Sequence, residues 1–337
     1  MGSSMSSKTN NNNGSGSYRR QAYHAGSWYE SNPKALASTL QGFLDAAASD
    51  LASCASVTTD FSNLRAVIVP HAGYRFSGPT ASYSYHGLQQ ALSLGQNIKH
   101  VIVLHPAHHV YLQGCAVSGA SVLETPLGDL PVNDDFRKEV LALSSKFSAM
   151  SASTDDDEHS GEMQYPYLAK ILLSPEHKDK QISVLPIMCG ALSESEEAQF
   201  GKLLAPIIAR HDIVSVISSD FCHYGSRFRY TPQPTGDKAS MPLHQFIQEM
   251  DHQGMDLIAM KQPGAFAEYL KQTKNTICGR HAIAVWMQAV VDYPNKSSSS
   301  SLTVNFVKYA QSSAVQTLAD SSVSYASAIV TNGTKAN

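Results

Sequence analysis

The chain has 337 residues, of which 42% are hydrophobic and 16% are charged, and its formal net charge is −3. That length accommodates one large domain or two ordinary ones, and the composition is typical of a soluble globular protein. The nearly balanced charge argues against a nucleic-acid partner, and no stretch is apolar enough to predict a membrane span or a signal peptide. We expect a cytoplasmic location, with the nucleus as the alternative.

Residues 1–17 are polar and predict a disordered tail, so we expect a single domain from residue 18 to residue 337. Apolar spacing predicts helices at 33–48, 77–94, 133–143, 162–173, 193–210 and in three pieces between 240 and 292. Short apolar runs predict strands at 65–69, 100–104, 115–117, 182–186, 213–217, 302–309 and 322–331, with a serine-rich loop at 297–301. Strands that alternate with helices predict an α/β fold, a three-layer sandwich around a mostly parallel sheet with antiparallel edges.

Three of the predicted strands are followed by segments that contain histidine. The polar residues of these segments are His71 after 65–69, His105, His108 and His109 after 100–104, and Asp220, Cys222 and His223 after 213–217. Because ligands bind outside the carboxyl ends of parallel strands, we expect these side chains to converge on one site. Two imidazoles with an anionic side chain suit iron, copper or zinc. A single histidine at a strand end is often only a polar cap, but three strand ends with the same feature favour a shared site.

The five cysteines are widely separated and form no Cys-x-x-Cys pair. This argues against a disulfide framework or a structural zinc site, and it favours a reducing compartment. We expect Cys54, Cys115 and Cys189 to be structural, whereas Cys222 is close to the predicted site and can point toward it or away from it.

Cys278 precedes an apolar segment, 282–291, that is predicted to be helical. A helix N-terminus and the neighbouring Arg280 would both stabilise a thiolate at this position. The alternative is that Cys278 is a small buried hydrophobe, as free cysteines often are. His281 follows on the same helix and could support the site.

The acidic segment 155–162 offers further candidates. A run of charges usually forms a solvated face, and we expect this for Asp155 to Asp157. The residues that lead into the next predicted helix are better candidates to ligate a metal or to support its ligands, and they are Glu158, His159 and Glu162. The residues expected at the rim, where they would bind a substrate or simply pack, are Tyr74, Tyr224 and Arg227.

Several short motifs resemble those of the MEMO family, which is named for a mediator of receptor-tyrosine-kinase-driven cell motility. They occur in the same order from about residue 23 to residue 330, so the resemblance is specific. The motifs are His24-Ala-Gly-Ser-Trp-Tyr29, Pro70-His-Ala-Gly-Tyr74, Pro106-Ala-His-His109, Asp157-Glu-His-Ser160, Gly190-Ala-Leu-Ser193, Ser218-Ser-Asp-Phe-Cys-His223, Asn275-Thr-Ile-Cys-Gly-Arg-His281 and Tyr309-Ala-Gln-Ser-Ser313.

The resemblance implies a fold similar to the LigB-type class III extradiol dioxygenases, which hold non-haem iron with two histidines and a glutamate. In the MEMO family the site is described as two histidines and a cysteine. Carried over by motif, the metal ligands would be His71, His108 and Cys278. Asp220 and His223 would complete the pocket, with His223 in the position of the dioxygenase acid/base histidine.

The sequence differs from the expected family motif at one point, and the family differs from the dioxygenases at another. The segment Leu104-His-Pro-Ala-His-His109 stands where Gly-Pro-Ser-His-His is expected, so His105 is an additional imidazole that could face the metal. In the family itself, cysteine replaces the dioxygenase carboxylate, and a softer thiolate favours Cu(I) or a redox-active iron. The resemblance therefore implies a copper or iron ion, redox activity, and a role in intracellular signalling, cell motility or growth-form control. It also implies signalling partners, with phosphotyrosine peptides recognised by the animal members.

Three functions are compatible with these residues. The first, which we favour, is a metal-dependent redox protein in which Asp220 and His223 move protons. The second is a non-enzymatic signalling adaptor or metal chaperone on a dioxygenase scaffold. The third is a zinc metallohydrolase with His223 as base, which is weaker because a thiolate ligand in a carboxylate-poor site suits redox metals better.

Overall fold

The computed structural model describes residues 17–53, 61–291 and 302–333. Residues 1–16 of the predicted tail, Cys54 and the predicted loop 297–301 lie outside the described residues.

Within the described ranges the chain forms twelve β-strands and ten α-helices. The strands are β1 (Tyr18–Arg20), β2 (Leu64–Val69), β3 (His100–Pro106), β4 (Cys115–Val117), β5 (Ala120–Leu123), β6 (Leu130–Pro131), β7 (Phe147–Ala149), β8 (Ser183–Cys189), β9 (Ile213–Ser218), β10 (His223–Tyr224), β11 (Leu302–Gln311) and β12 (Ser322–Asn332). The helices are α1 (Pro33–Ser53), α2 (Tyr74–Ser93), α3 (Asp134–Ala142), α4 (Ala152–Asp157), α5 (His159–Glu162), α6 (Tyr165–Leu172), α7 (Glu194–Ile208), α8 (Leu243–Ala259), α9 (Pro263–Thr273) and α10 (Arg280–Val290).

A large mixed sheet forms the centre of the molecule. In the described chain its order is β10-β12-β2-β9-β3-β8-β4-β7, and β11 also pairs with β12. The neighbouring strands β2, β9, β3 and β8 are parallel, whereas β12 runs antiparallel to both β2 and β11. The predicted arrangement, a mostly parallel sheet with antiparallel strands added near the C-terminus, is confirmed. A smaller sheet is formed by β1, β5 and β6.

Helices cover both faces of the large sheet. The connection from β2 through α2 to β3 passes over β9, whereas the connection from β8 through α7 to β9 passes over β3 in the opposite direction. Because such crossovers are right-handed, α2 and α7 lie on opposite faces. Helix α2 packs on β2 and β12, and α10 packs on α7, β3 and β9. Every residue of β2 and β9 is buried, as strands covered on both faces require, and the predicted three-layer α/β sandwich is confirmed.

The second predicted helix begins earlier than its sequence suggests. It starts at Tyr74 rather than near Ser77 and includes Pro79. The carbonyl of Gly73 accepts hydrogen bonds from the amides of Phe76 and Ser77, at 2.8 and 3.1 Å, and this closes the first turn. Only four residues therefore separate the end of β2 from the helix that covers it.

The acidic segment also differs from its prediction. The acidic residues other than Glu158 lie in α4 and α5, and the helix predicted at 162–173 begins only at Tyr165, as α6. Glu158, in extended conformation between α4 and α5, caps α5 through a 3.0 Å hydrogen bond from the amide of Ser160. Asp155 is buried rather than solvated, because its carboxylate accepts hydrogen bonds from the hydroxyls of Tyr18 and Ser118.

Candidate metal centre

The carboxyl ends of three neighbouring strands place the first polar side chains of the site. Strands β2, β9 and β3 are adjacent and parallel, with Val69 opposite Ser218 and Leu104 opposite Ile217. After β2 the chain continues into α2, on one face of the sheet. After β9 it continues through β10, α8 and α9 to α10, which packs with α7 on the other face. A crevice between such connections is where open α/β sheets bind ligands.

His71 follows β2 at this edge and is 2% exposed. Its backbone amide donates to Asp220 Oδ1 at 2.8 Å, and its Nδ1 lies 2.7 Å from Ser218 Oγ. Because Ser218 Oγ donates its own proton to the carbonyl of Ser160, at 2.8 Å, it accepts from Nδ1–H of His71. The lone pair of His71 is therefore on Nε2, which lies 3.1 Å from Cys278 Sγ. Burial, followed by the neighbouring imidazoles of His108 and His159, lowers the pKa of His71, so the ring is neutral at pH 7.

Cys278 reaches the same edge from the loop before α10. The backbone amide of Asp220 donates to its Sγ at 3.3 Å. Burial, and secondarily the Asp220 carboxylate, raise the pKa of the Cys278 thiol well above its usual value. Of the two alternatives for Cys278, the buried thiol therefore describes the metal-free protein better than the stabilised thiolate, since desolvation dominates and Arg280 is exposed. A bound cation would reverse this balance, because metal coordination deprotonates a thiol.

Asp220 lies between His71 and Cys278. Burial raises the pKa of its carboxyl to about 7, although the backbone amides of His71 and Ala72 donate to it and oppose the shift. The side chain can therefore accept or release a proton near neutral pH.

His108 is oriented by Glu158. The carboxylate of Glu158 accepts from the backbone amide of His108 at 2.6 Å, and its Oε1 lies 2.8 Å from Nδ1 of the same residue. Burial opposes ionisation of Glu158, but these bonds and the surrounding imidazoles outweigh it and hold the pKa of Glu158 well below its usual range. An ionised Glu158 requires a proton on Nδ1 of His108, so the lone pair of His108 is on Nε2.

The donor atoms form two groups of three that share His71. In the part of the chain that the structure describes, one group is His71, His108 and His159, and the other is His71, Asp220 and Cys278. Within each group the donor atoms lie within 4.8 Å of one another. The combination of imidazole nitrogen, thiol and carboxylate fits copper, iron or zinc. Neither group contains both His108 and Cys278, so the implied ligand set, His71, His108 and Cys278, draws on both groups through their common histidine.

Comparison with known proteins identifies the family. The family described as Memo-like protein matches residues 20–329. The chain is 38% identical to human protein MEMO1 over 312 residues, which are 93% of this chain and 97% of that protein. It is 40% identical to protein MEMO1 of Xenopus laevis over 307 residues (91% and 95% of the two chains). It is 38% identical to protein memo-1 homolog of Caenorhabditis elegans over 318 residues (94% and 84%).

The chain belongs to the Memo-like family. The predicted family membership is thereby confirmed, and the metal ligands that the MEMO resemblance implies stay a prediction. Among solved structures, the uncharacterized protein JW3007 from Escherichia coli K12 matches with a TM-score of 0.45 and 12% identity, covering 78% of this chain and 99% of its own. Within the described residues, the Memo-like chain has no helix long and apolar enough to span a membrane.

His223 lies at the start of β10, beside the site. Its Nδ1 is 3.0 Å from the carbonyl of Phe221 and 3.2 Å from that of Thr276, so Nδ1 carries the proton and Nε2 the lone pair. Burial lowers the pKa of His223, and the ring is neutral at pH 7. A neutral imidazole with a free Nε2 is a competent proton acceptor.

Several other residues expected around the site have different partners. His105 is buried within β3, with Nδ1 3.1 Å from both the Pro106 carbonyl and Ser160 Oγ, and it belongs to neither donor group. His281 pairs with Glu197 on α7 at 2.7 Å rather than with a site residue. Tyr224 is fully buried rather than at the rim. His109 is exposed and contacts only the edge of the site, its Nε2 lying 3.4 Å from Nδ1 of His159.

Glu162, which the sequence favours as a ligand, belongs to a separate buried cluster. Its carboxylate accepts from Arg20, from Tyr29 Oη at 2.6 Å, and from the amide and Nδ1 of His24 at 2.8 and 2.7 Å. Burial opposes ionisation, but the hydrogen bond from His24 and the Arg20 charge outweigh it, so the pKa of Glu162 is lowered. The cluster fixes the N-terminal segment, and with it Trp28, against the site.

Apart from Glu158, the sequence did not single out the residues that hold the ligands in place. Gln164 donates to Ser218 Oγ at 2.9 Å, and Ser160 accepts from the same hydroxyl, so both fix the ring of His71. Trp28 packs on His159 with ring centroids 4.4 Å apart. The aromatic segment 24–29 is a sequence signal for a docked loop, but no local pattern marks the contacts of Ser218 and Gln164.

A cavity of about 940 Å³ opens beside the metal centre. It borders on Ala72 and Gly73, which follow His71, and its walls carry two arginines. Among its lining residues are Trp28, Tyr74, Arg75, Arg227 and Tyr325. Tyr74 and Arg227 therefore face this cavity, although the hydroxyl of Tyr74 is engaged with the Met163 carbonyl at 2.7 Å.

Proposed function

We propose that this Memo-like chain binds a redox-active copper or iron ion through His71, His108 and Cys278 and acts as a metal-dependent oxidoreductase. The observation that carries the proposal is the 3.1 Å distance between Cys278 Sγ and His71 Nε2 at the edge where β2, β9 and β3 end. A thiol and a neutral imidazole nitrogen meet there in a desolvated crevice. Copper and iron both accept this combination of soft and borderline donors.

The ligands are supported as metal-binding residues usually are. Nδ1 of His71 is held by Ser218 and Nδ1 of His108 by Glu158, which leaves Nε2 of each ring available. A bound copper or iron ion would supply one-electron redox chemistry. The protein supplies the orientation of the two rings and the thiol.

Asp220 and His223 are the proposed proton carriers. The carboxyl of Asp220, with its pKa near 7, can give up or take a proton at Oδ while its amide contacts with His71 and Ala72 persist. His223 can accept a proton at Nε2, because Nδ1 is committed to two backbone carbonyls. We place this activity in the cytoplasm, in the intracellular signalling context that the MEMO resemblance implies.

A second candidate function is recognition of an anionic aromatic ligand, such as a phosphotyrosine peptide, in the cavity beside the site. Arg75 and Arg227 both line that cavity, together with the Trp28 and Tyr325 rings. Arginine guanidinium groups are the usual partners of phosphate in peptide recognition. This would make the protein an adaptor whose metal site has a structural or regulatory role.

The test is metal analysis of protein purified without oxygen. We expect the wild type to retain copper or iron, and His71→Ala, His108→Ala and Cys278→Ala to lose it while keeping their circular dichroism. Full metal retention by all three variants would show that the proposed ligands are wrong.

Turnover is tested separately with the metal-loaded protein. Oxygen consumption or superoxide production with a thiol reductant supports the oxidoreductase. Metal binding without either favours the adaptor, which is then tested by titrating a phosphotyrosine peptide against the wild type and Arg227→Ala.

A further inference from the structure

We propose that His159 is itself a metal ligand and completes an all-imidazole donor set with His71 and His108 that takes divalent copper. The inference rests on the proposed metal site and concerns which residues ligate which oxidation state. Its starting point is that the nitrogens of these three rings lie within 4.8 Å of one another in a group that does not include Cys278.

The rings of His108 and His159 are arranged alike. Their centroids are 4.5 Å apart and their planes differ by 24°. The same carboxylate oxygen, Glu158 Oε1, lies 2.8 Å from Nδ1 of His108 and 3.6 Å from Nδ1 of His159. Both rings thus lie beside the same carboxylate, and one nitrogen of each belongs to the donor group that they form with His71.

His71 closes the third side of this set. Its ring is nearly perpendicular to both others, at 74° to His108 and 79° to His159, with centroid distances of 5.3 and 5.6 Å. His71 is thus almost equidistant from the two stacked rings, and its Nδ1 is held by Ser218. Glu158 holds His108 more closely than His159, but both rings belong to the same donor group with His71.

The outer face of His159 is covered by Trp28. The two ring centroids are 4.4 Å apart at an angle of 31°, so His159 lies between Trp28 and His108. Glu162 and Arg20 fix the segment that carries Trp28. His159 is therefore preorganised on both faces, as a ligand rather than a mobile surface histidine would be.

Two donor sets that share His71 differ in chemical softness. The set with three imidazoles contains only nitrogen, which suits Cu(II), whereas the set with Cys278 contains a thiol, which suits Cu(I). Removal of His159 should therefore weaken Cu(II) binding and leave Cu(I) binding largely unchanged. Removal of Cys278 should have the opposite effect.

The decisive variant is His159→Phe, which keeps the ring stack and removes both nitrogens, with His159→Gln as a second variant should Phe disturb folding. The control is His211→Ala, an exposed histidine one residue before Asp212 at the amino end of β9. Cu(II) affinity is measured by competition with a chelator and the quenching of Trp28 fluorescence, and Cu(I) affinity by competition with a colorimetric Cu(I) ligand. Electron paramagnetic resonance of the Cu(II) form reports the number of coordinated imidazole nitrogens.

We expect both His159 variants to bind Cu(II) at least about tenfold more weakly, with Cu(I) affinity as in the wild type. Their paramagnetic resonance spectra should show one coordinated imidazole nitrogen fewer than the wild type. His159 variants with wild-type Cu(II) affinity and an unchanged spectrum would overturn this inference. If instead His71→Ala changes neither affinity, the proposed metal site itself fails. The two failures are therefore distinguishable.

Discussion

At the level of single residues, the structure favours the buried thiol over the stabilised thiolate as the state of Cys278. The position before a helix suggested a stabilised thiolate, but burial and Asp220 raise the pKa of the thiol well above its usual value. In the metal-free protein we therefore expect Cys278 to react slowly with iodoacetamide at pH 7, more slowly than a free cysteine with a pKa of about 8.5. The rate should rise steeply with pH and show no plateau below pH 9. Peptide-resolved mass spectrometry measures it, and Cys278→Ala identifies the peptide.

A plateau in that alkylation rate near pH 7 would contradict the structure, because it would indicate a thiolate without a metal. Adding the metal should protect Cys278 at every pH if the thiol is a ligand. The same experiment thus reports both the desolvated thiol and its coordination.

Glu158 allows a second residue-level prediction. Its ionised carboxylate holds the amide and Nδ1 of His108 and caps α5. In Glu158→Gln the charge that fixes the proton on Nδ1 is lost, while the shape is retained. Substitutions that remove such support weaken metal binding by about 10- to 100-fold, and we expect a loss in this range for copper. Asp157→Asn, at the exposed neighbouring position, is the matched control and should bind like the wild type.

At the level of elements, the strands and long helices could be predicted because local patterns determine them. β2 and β9 are short apolar runs covered on both faces, and α8, α9 and α10 are separated at the predicted breaks near Pro263 and Cys278. The segment around Asp155 could not be predicted, since a run of carboxylates reads as a solvated face. Its burial depends on Tyr18 and Ser118, which are distant in sequence, and no local pattern shows such partners.

The same limit applies to the site. His71, His108 and Asp220 could be predicted as candidates because they follow strands. The rule that ligands bind outside the carboxyl ends of parallel strands requires only the order of elements along the chain. The sequence marked Glu158 as a candidate but did not indicate that it orients His108, or that Ser218 fixes the tautomer of His71. These contacts depend on side-chain directions in loops that come together only after the sheet has formed.

Asp251 joins elements that carry the site, and it gives a pH-dependent prediction. Its Oδ1 accepts from the amide of Cys222 and from Asn275 Nδ2, at 3.2 and 2.8 Å, and its Oδ2 accepts from Tyr309 Oη at 2.9 Å. It therefore ties α8 to the loops before His223 and Cys278. Burial raises the pKa of Asp251 to about 6 from the usual 3.8, although these hydrogen bonds oppose the shift.

Proton linkage determines whether the contribution of Asp251 to stability rises or falls with pH. Between pH 4 and pH 6 the folded state binds this proton more tightly than the unfolded state, so the contribution of Asp251 to stability decreases as pH rises. We expect Asp251→Asn to gain stability relative to the wild type across that interval, by up to about 3 kcal/mol at neutral pH. Urea unfolding at pH 4.5, 6 and 7.5 measures it. Asp256→Asn, exposed on the same helix, is the control, and a pH-independent difference for Asp251→Asn would contradict the assignment.

At the level of the whole molecule, the N-terminal segment is an integral part of the site rather than an appendage. Arg20 and Glu162 are both fully buried and paired, and Glu162 also holds His24 and Tyr29. Through this cluster the segment places Trp28 on the outer face of His159 and along the cavity. The stability of the fold and the closure of the metal centre therefore depend on the same buried ion pair.

Neutralising one partner of that pair should be strongly destabilising. Glu162→Gln keeps the size of the side chain but leaves the buried Arg20 guanidinium, among the described residues, with Asp155 as its remaining carboxylate partner, whose Oδ1 is 3.7 Å from its Nε. Breaking a buried pair in this way costs about 3–5 kcal/mol, because one charge stays desolvated without compensation. We expect a loss of this size in urea unfolding, together with increased solvent exposure of Trp28 in its emission spectrum. Glu194→Gln removes an exposed partner of Lys271 and should leave both measurements unchanged. Equal effects of the two substitutions would mean that the N-terminal segment is not held by Glu162, and the preorganisation of His159 would then need another cause.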